Sequence, residues 1–267
     1  MTLKRRKKTL EIKKIMTNKR FLEYAKRTAN PEVPELRKER PIHDTSPRTS
    51  VRGSFSDYQE FCGKNTEQMP LLISSGRVPM SVFDLLEKRT QLLTSRNPDK
   101  KEFDYFMNNY FDTGDGVVYM PNGDLIVAYD SERLRNMDSA SSLVNGALDL
   151  SGFDISRVSG KRFSKSEVEN MVKDTELSLS QVNEHLIWLA LAHDDKALLK
   201  KYSESFFKYA KKEFGYDTNM GVYLGSPAKV PIMRAWFVSR ANSKSDADGG
   251  SNLDAGRLLG LASETQK

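Results

Sequence analysis

The spacing of apolar positions changes along the chain, and each change marks a different structural region. Residues 1–28 carry a narrow stripe, Leu10, Ile12, Ile15 and Met16 followed by Phe21, Leu22 and Tyr24, set among Lys and Arg, which suits one or two helices. Residues 29–53 hold Pro31, Pro34, Pro41, Pro47 and Gly53 with few apolar anchors, a composition expected to wander rather than pack. From residue 54 onward the pattern is that of a folded domain.

Leu71, Leu72 and Ile73 form a short apolar run that reads as a buried strand. Pro79 and Ser81 then open a helix through Thr94, with Val82, Leu85, Leu86, Arg89, Leu92 and Leu93 near helical spacing. Asn97-Pro98-Asp99 starts another helix, along which Phe103, Phe106, Met107, Tyr110 and Phe111 crowd one side. Beyond Gly114 and Gly116 the period shortens. Val117–Met120 and Leu125–Tyr129 flank Pro121-Asn122-Gly123-Asp124, whose Asn-Gly pair suits the positive φ of a hairpin turn. Residues 141–153 fit neither period.

Three helices are expected next. Ser164 to Glu167 forms a capping box, opening a helix to about Lys173. Ser178 or Ser180 begins the second, through Leu186 to Leu191, and the third runs from Asp194 to Phe214 with Gly215 as its stop. Met220–Leu224 and Pro231–Arg240 read as strands, and Ser251–Leu261 as a small terminal helix in which Ser251 and Asp254 resemble a capping box. Helices and isolated strand pairs alternate without a βαβ beat. The expected class is α+β, a mainly helical core with short antiparallel strand pairs, preceded by a basic, partly helical or disordered N-terminal arm.

Charge sharpens the division. Residues 1–53 contain 16 Lys and Arg against 6 Asp and Glu, a net of +10, whereas the remaining residues carry 26 against 30, a net of −4. Domain boundaries of 1–53 for the arm and linker and 54–267 for the globular part follow. Lys4, Arg5, Arg6, Lys7, Lys8, Lys13, Lys14, Lys19 and Arg20 are the candidate contacts to nucleic acid or a ribonucleoprotein, through phosphate neutralisation. The plainer alternative is a solvated helix and linker, and an anionic membrane surface or a protein partner would meet the same charge. The basic pentad would also serve as an import signal in a cell with a nucleus.

Composition narrows the setting. At 267 residues, 38% hydrophobic and 29% charged, the chain reads as a globular protein with added polar segments. No apolar stretch approaches the roughly 20 residues of a transmembrane helix. A lone cysteine, Cys62, makes no internal disulfide, and no apolar segment follows the basic pentad as a secretory signal requires, so a cytoplasmic setting is expected.

Candidate chemistry is sparse. His185 and His193 on one helix would be about 12 Å apart, too far to share an ion, and a capped helix junction at Asp194 or Asp195 explains the segment more simply. Cys62 has no adjacent histidine. Asp112-Thr113-Gly114 matches the aspartic-protease loop over three residues only, and a glycine-rich turn explains it as well. No catalytic residue, metal ligand or cofactor is assigned.

The C-terminal segment offers more. A strand over Pro231–Arg240 puts Ile232, Arg234, Trp236, Val238 and Arg240 on one face, so Arg234, Trp236 and Arg240 join the arm as candidate nucleic-acid contacts, able to stack a base and hold a phosphate. Otherwise Trp236 covers a second core layer while the arginine heads reach water. The leading function is therefore a non-enzymatic intracellular protein binding nucleic acid through its arm. The alternatives are an enzyme with a polar C-terminal site, Asp246, Asp248, Asp254, Arg234 and Arg257, acting on an anionic substrate, and a scaffold or assembly protein.

Overall fold

The computed structural model describes residues 57–173 and 175–262. The expectations placed on residues 1–53, Lys4 to Arg20 included, lie outside them. The chain divides between Val51 and Arg52, and everything below concerns the second unit.

In chain order the strands are β1 (Tyr58–Gly63), β2 (Arg77–Pro79), β3 (Phe111–Tyr119), β4 (Leu125–Ala128), β5 (Leu143–Val144), β6 (Ala147–Asp149), β7 (Gly160–Phe163), β8 (Val222–Tyr223), β9 (Ile232–Val238), β10 (Ala247–Asp248) and β11 (Gly256–Ala262). The helices are α1 (Asn65–Ser74), α2 (Val82–Thr94), α3 (Lys100–Asn108), α4 (Glu132–Arg135), α5 (Lys165–Met171), α6 (Leu179–Glu184), α7 (Leu186–Leu191) and α8 (Lys196–Phe214). The fold is mixed α+β.

Local signals placed most of the helices. Ser81, Ser164 and Ser178 each accept the N3 backbone N–H in a complete capping box, and Asp99 and Asp195 cap α3 and α8. Gly215 ends α8 in the left-handed conformation, φ 74°. The Asn122-Gly123 turn joins β3 to β4, with Gly123 at φ 93°.

Three expectations fail. The core is not mainly helical with short strand pairs: among the described residues eleven strands form one sheet, ordered β1-β11-β3-β9-β10-β8, with β2 on β11, β4 and β7 beyond β3, and β6 and β5 beyond β9. Leu71-Leu72-Ile73 is helical, the end of α1. A three-residue apolar run has no period of its own, and only Leu72, one turn from Met69, enters the core, leaving Leu71 and Ile73 exposed. Ser251–Leu261 is not a helix. It ends in strand β11, inserted between β1 and β3, with Glu60 opposite Leu259 and Asp112 opposite Leu258.

The first and third of these share a reason. Residues 232–238 and the centre of 256–262, Leu258 to Gly260, are buried on both faces, so their apolar residues run on instead of alternating. On β9, Ile232, Trp236 and Val238 face one apolar layer with Val82, Leu85 and Leu86 of α2 and Leu199, Tyr202 and Phe206 of α8. Met233 and Ala235 face a second layer with Met69 and Leu72 of α1 and Leu134 of α4. The expected period of two therefore holds, with core on each side. Residues 141–153, which fit no period, make the β5–β6 hairpin over Asn145 and Gly146, both at positive φ. No helix among the described residues is long and apolar enough to cross a membrane.

Candidate functional site

The centre of the sheet holds the polar residues singled out in the sequence. β3 pairs Asp112 with Phe237 and Gly116 with Ala235, so three residues, Thr113 to Asp115, oppose Trp236 alone. This bulge replaces the expected turn and lies inside a strand. Thr113 Oγ1 donates to Trp236 O at 2.9 Å. Asp112 and Asp115 are both buried and hold different partners. Asp115 accepts Val82 N–H at 2.7 Å and Asp130 N–H at 2.9 Å, tying the first residue of α2 to the sheet. Burial raises its carboxyl above the ordinary range, against those two bonds.

Asp112 joins four segments. Its carboxylate accepts Ser251 Oγ–H at 3.0 Å, Asn65 Nδ2–H at 3.3 Å and Arg257 N–H at 2.9 Å. Burial pushes its carboxyl up to about 6, opposed by these donors. The packing leaves no room beside it: a Cβ on Gly256 would stand 2.0 Å from Asp112 Oδ2 and 2.3 Å from Asn65 Oδ1. Gly256→Ala should lower the melting temperature by several degrees, since even ~1 kcal/mol displaces it by roughly 2–4 °C in a domain of this size, and a thermal scan by circular dichroism checks this. The protease-like triplet is thus a structural clasp.

Arg234 and Trp236, expected as nucleic-acid contacts, are corrected by the same geometry. β9 lies between β3 on one side and β10 and β6 on the other, with a core layer against each face, and Trp236 is fully buried. The Arg234 head is also held by backbone of its own fold. Its Nη1 donates to Ser251 O and its Nη2 to Asn145 O, both at 2.7 Å. Arg240, beyond the strand end, is exposed.

The residues of the alternative enzymatic site hold separate partners. Asp246 Oδ1 accepts Gly221 N–H at 2.7 Å, and burial pushes its carboxyl up to about 7. Asp248 Oδ1 accepts Gly250 N–H at 2.6 Å, and burial raises it too, while the Arg234 charge opposes. Asp254 is exposed and caps no helix. Arg257 pairs with Glu60 at 2.9 Å and donates to Asn109 Oδ1. A groove of about 440 Å³, lined among others by Tyr58, Asp84, Glu87 and Phe106, contains none of these five.

His185 is buried, with Nε2 3.1 Å from Met171 O, and burial lowers its pKa. His193 is exposed, stacked on Phe83 at 5.2 Å and against Tyr129 at 4.9 Å. Asp195 accepts Ala197 N–H and Leu198 N–H, the capped junction foreseen, while Asp194 pairs with Lys161. No group of three or more His, Cys, Asp or Glu placed to hold a metal occurs among the described residues. The thiol of Cys62, an exposed residue, donates to Glu60, and partial desolvation together with that carboxylate pushes it up to about 12, which keeps it protonated and poorly nucleophilic.

Sequence reasoning did not single out Arg89 as a charge. It sits on the apolar face of α2, fully buried, and its guanidinium donates to Phe106 O and Ser239 O at 3.0 Å, Ser245 Oγ at 2.9 Å and Asn109 O at 3.1 Å. A charge at an apolar position of an amphipathic helix was the available signal.

No protein-family model and no curated protein sequence matches the chain. A solved structure described as "Accommodation of massive sequence variation in Nanoarchaeota by the C-type lectin fold" is similar over 76% of this chain and 97% of its own, with 13% identity and a TM-score of 0.55. The likeness is to the C-type lectin fold. At this identity it concerns fold alone.

Proposed function

We propose that the protein is a non-enzymatic binding protein, a C-type lectin-like scaffold that contacts nucleic acid or a nucleic-acid-containing assembly through its basic N-terminal residues. The observation carrying this reading is the charge segregation, +10 over residues 1–53 against −4 over the remainder. Such a segment neutralises phosphates and releases counterions, which makes affinity fall with salt. Supporting it, Asp112, Asp115, Asp246 and Asp248 all bond to backbone N–H groups of their own fold. A fold described elsewhere as accommodating massive sequence variation suits a scaffold whose surface carries the function.

Fluorescence anisotropy with a labelled oligonucleotide at 50 and 200 mM salt tests it. Contact with about six phosphates of a duplex predicts a loss of affinity on the order of a thousandfold between those conditions, and the chain lacking residues 1–53 should bind weakly at both. Full affinity in the truncated chain would overturn the reading.

A further inference from the structure

One helix carries a charge opposite to that of the unit around it. Over Lys196–Phe214, α8 holds Lys196, Lys200, Lys201, Lys208, Lys211 and Lys212 against Glu204 and Glu213, a net of +4, whereas the rest of residues 54–267 holds 20 Lys and Arg against 28 Asp and Glu, a net of −8. At about 100° per residue, Lys201, Lys208 and Lys212 lie within about 40° of one another, with Lys200 and Lys211 beside them along one flank. Leu199, Tyr202, Phe206 and Ala210 occupy the opposite side and are buried, while all the lysines are exposed. From Lys196 to Lys212 the row runs for about 24 Å.

The helix itself does not call for this arrangement. Lys211 and Lys212 suit the negative C-terminal end and pair with Asp217 and Glu213. Lys196 stands instead in the first turn, where the dipole disfavours a cation and no acidic residue of the helix accompanies it. Lys196 with Lys200, and Lys208 with Lys211 and Lys212, are like charges one turn apart, which destabilises a helix. Lys200 meets Glu204 only at 4.0 Å with both side chains exposed, and Lys196, Lys201 and Lys208 have no ion pair among the described residues. The neighbouring carboxylates are engaged elsewhere or lie to the side: Asp195 accepts Ala197 N–H and Leu198 N–H, Asp194 pairs with Lys161, and Asp104 is beside Tyr209. The backbone beneath is fixed by the Asp195 and Gly215 caps and by Tyr202 and Ser203, hydrogen-bonded to Ser245 and Asn183. An external run of negative charge would relieve the repulsion.

The exposed positions of α8 also select the kind of partner. They are the lysines, Glu204, Glu213 and Ala197. Protein interfaces draw on aromatic and arginine anchors and are poor in lysine, and a helix lying on lipid inserts apolar residues, so this face suits neither. Phosphates need only point charges held in a row. We propose that the lysine face of α8 is a second contact for nucleic acid, lying along the phosphate backbone of a duplex without reading its bases. The inference rests on the nucleic-acid reading above and names the surface of the folded unit that shares in it.

Fluorescence anisotropy on the full chain, with a labelled twenty-base-pair duplex over a series of salt concentrations, provides the test. Lys196→Gln, Lys201→Gln and Lys208→Gln together should lower the slope of log affinity against log salt by about 2.7, three phosphate contacts at ~0.9 each, and weaken binding at low salt about tenfold or more. Gln matches Lys in helix propensity, so the melting temperature should be retained. Lys64→Gln, Lys165→Gln and Lys229→Gln together remove the same charge from exposed positions on other segments and should leave the slope unchanged. An unchanged slope in the α8 variant, or an equal fall in that control, would overturn the contact. So would loss of binding to vesicles of phosphatidylserine and phosphatidylcholine with duplex binding intact. A chain with Lys4→Gln, Arg5→Gln, Arg6→Gln, Lys7→Gln and Lys8→Gln addresses the arm separately. Loss there beside an unchanged α8 variant leaves the arm reading standing alone, and the reverse result leaves the α8 contact standing alone.

Discussion

Replacing Arg89 with Met should remove much of the stability of the folded unit, on the order of 3–6 kcal/mol in urea unfolding. The guanidinium of this fully buried residue satisfies three backbone carbonyls and one serine hydroxyl. Leaving a buried acceptor unpaired costs about 1–3 kcal/mol each, and Met supplies the volume but no donor. Set against a total of about 5–15 kcal/mol for a typical domain, the loss is large. The acceptors come from α3, the loop before β3, and both ends of the loop joining β9 to β10, so the loss falls on long-range connections. Arg89→Lys should recover only part of it, because one ammonium cannot reproduce the fork that reaches Phe106, Asn109 and Ser239 together. A near-wild-type denaturation midpoint for Arg89→Met would show that these carbonyls find other donors.

The second large effect concerns Asp112 and pH. Asp112→Ala leaves Arg257 N–H, Asn65 Nδ2 and Ser251 Oγ without their acceptor, and should cost about 3 kcal/mol by the same reasoning. Asp112→Asn is milder, since its amide N–H can donate to a rotated Ser251 hydroxyl while its oxygen keeps the other two bonds. Its value lies in the pH profile. The folded carboxyl titrates at about 6, above the ordinary aspartate value of about 4, so the folded state holds the proton more tightly than the unfolded chain. Its contribution is present below about pH 4 and is lost as pH rises through 6, a difference of about 3 kcal/mol for two pKa units. Wild-type stability minus that of Asp112→Asn should therefore fall between pH 4 and 7. Asp246 acts with the same sign, and His185, whose pKa is lowered, with the opposite one, but both are common to the two chains and cancel in the difference. Chemical denaturation at half-unit pH intervals measures it, and a flat difference would show that Asp112 is ionised throughout.

Helix ends were legible because their signals are local. A serine with an acceptor three residues on, an aspartate before Lys100 or Lys196, and Gly215 after Phe214 each act within one turn of chain. The β3–β4 hairpin was equally legible, since Asn122-Gly123 meets its own conformational need. The terminal strand was not. Ser251 and Asp254 have the letters of a capping box, yet Ser251 turns to Asp112, 139 positions away, and β11 takes β1 and β3 as partners.

The amino-acid order alone therefore determined the mixed α+β class, the start of most helices, the alternation along β9 and the uneven distribution of charge, because propensity, capping and net charge are properties of neighbours in the chain. Tertiary structure decided that both faces of β9 are covered, that Arg234 and Trp236 lie inside while Tyr110 and Arg240 lie outside, and that Asp112 fastens the sheet. Burial and hydrogen-bond satisfaction depend on which distant segments meet. Hydrogen bonds that span 139 and 145 positions leave no period in the sequence to read.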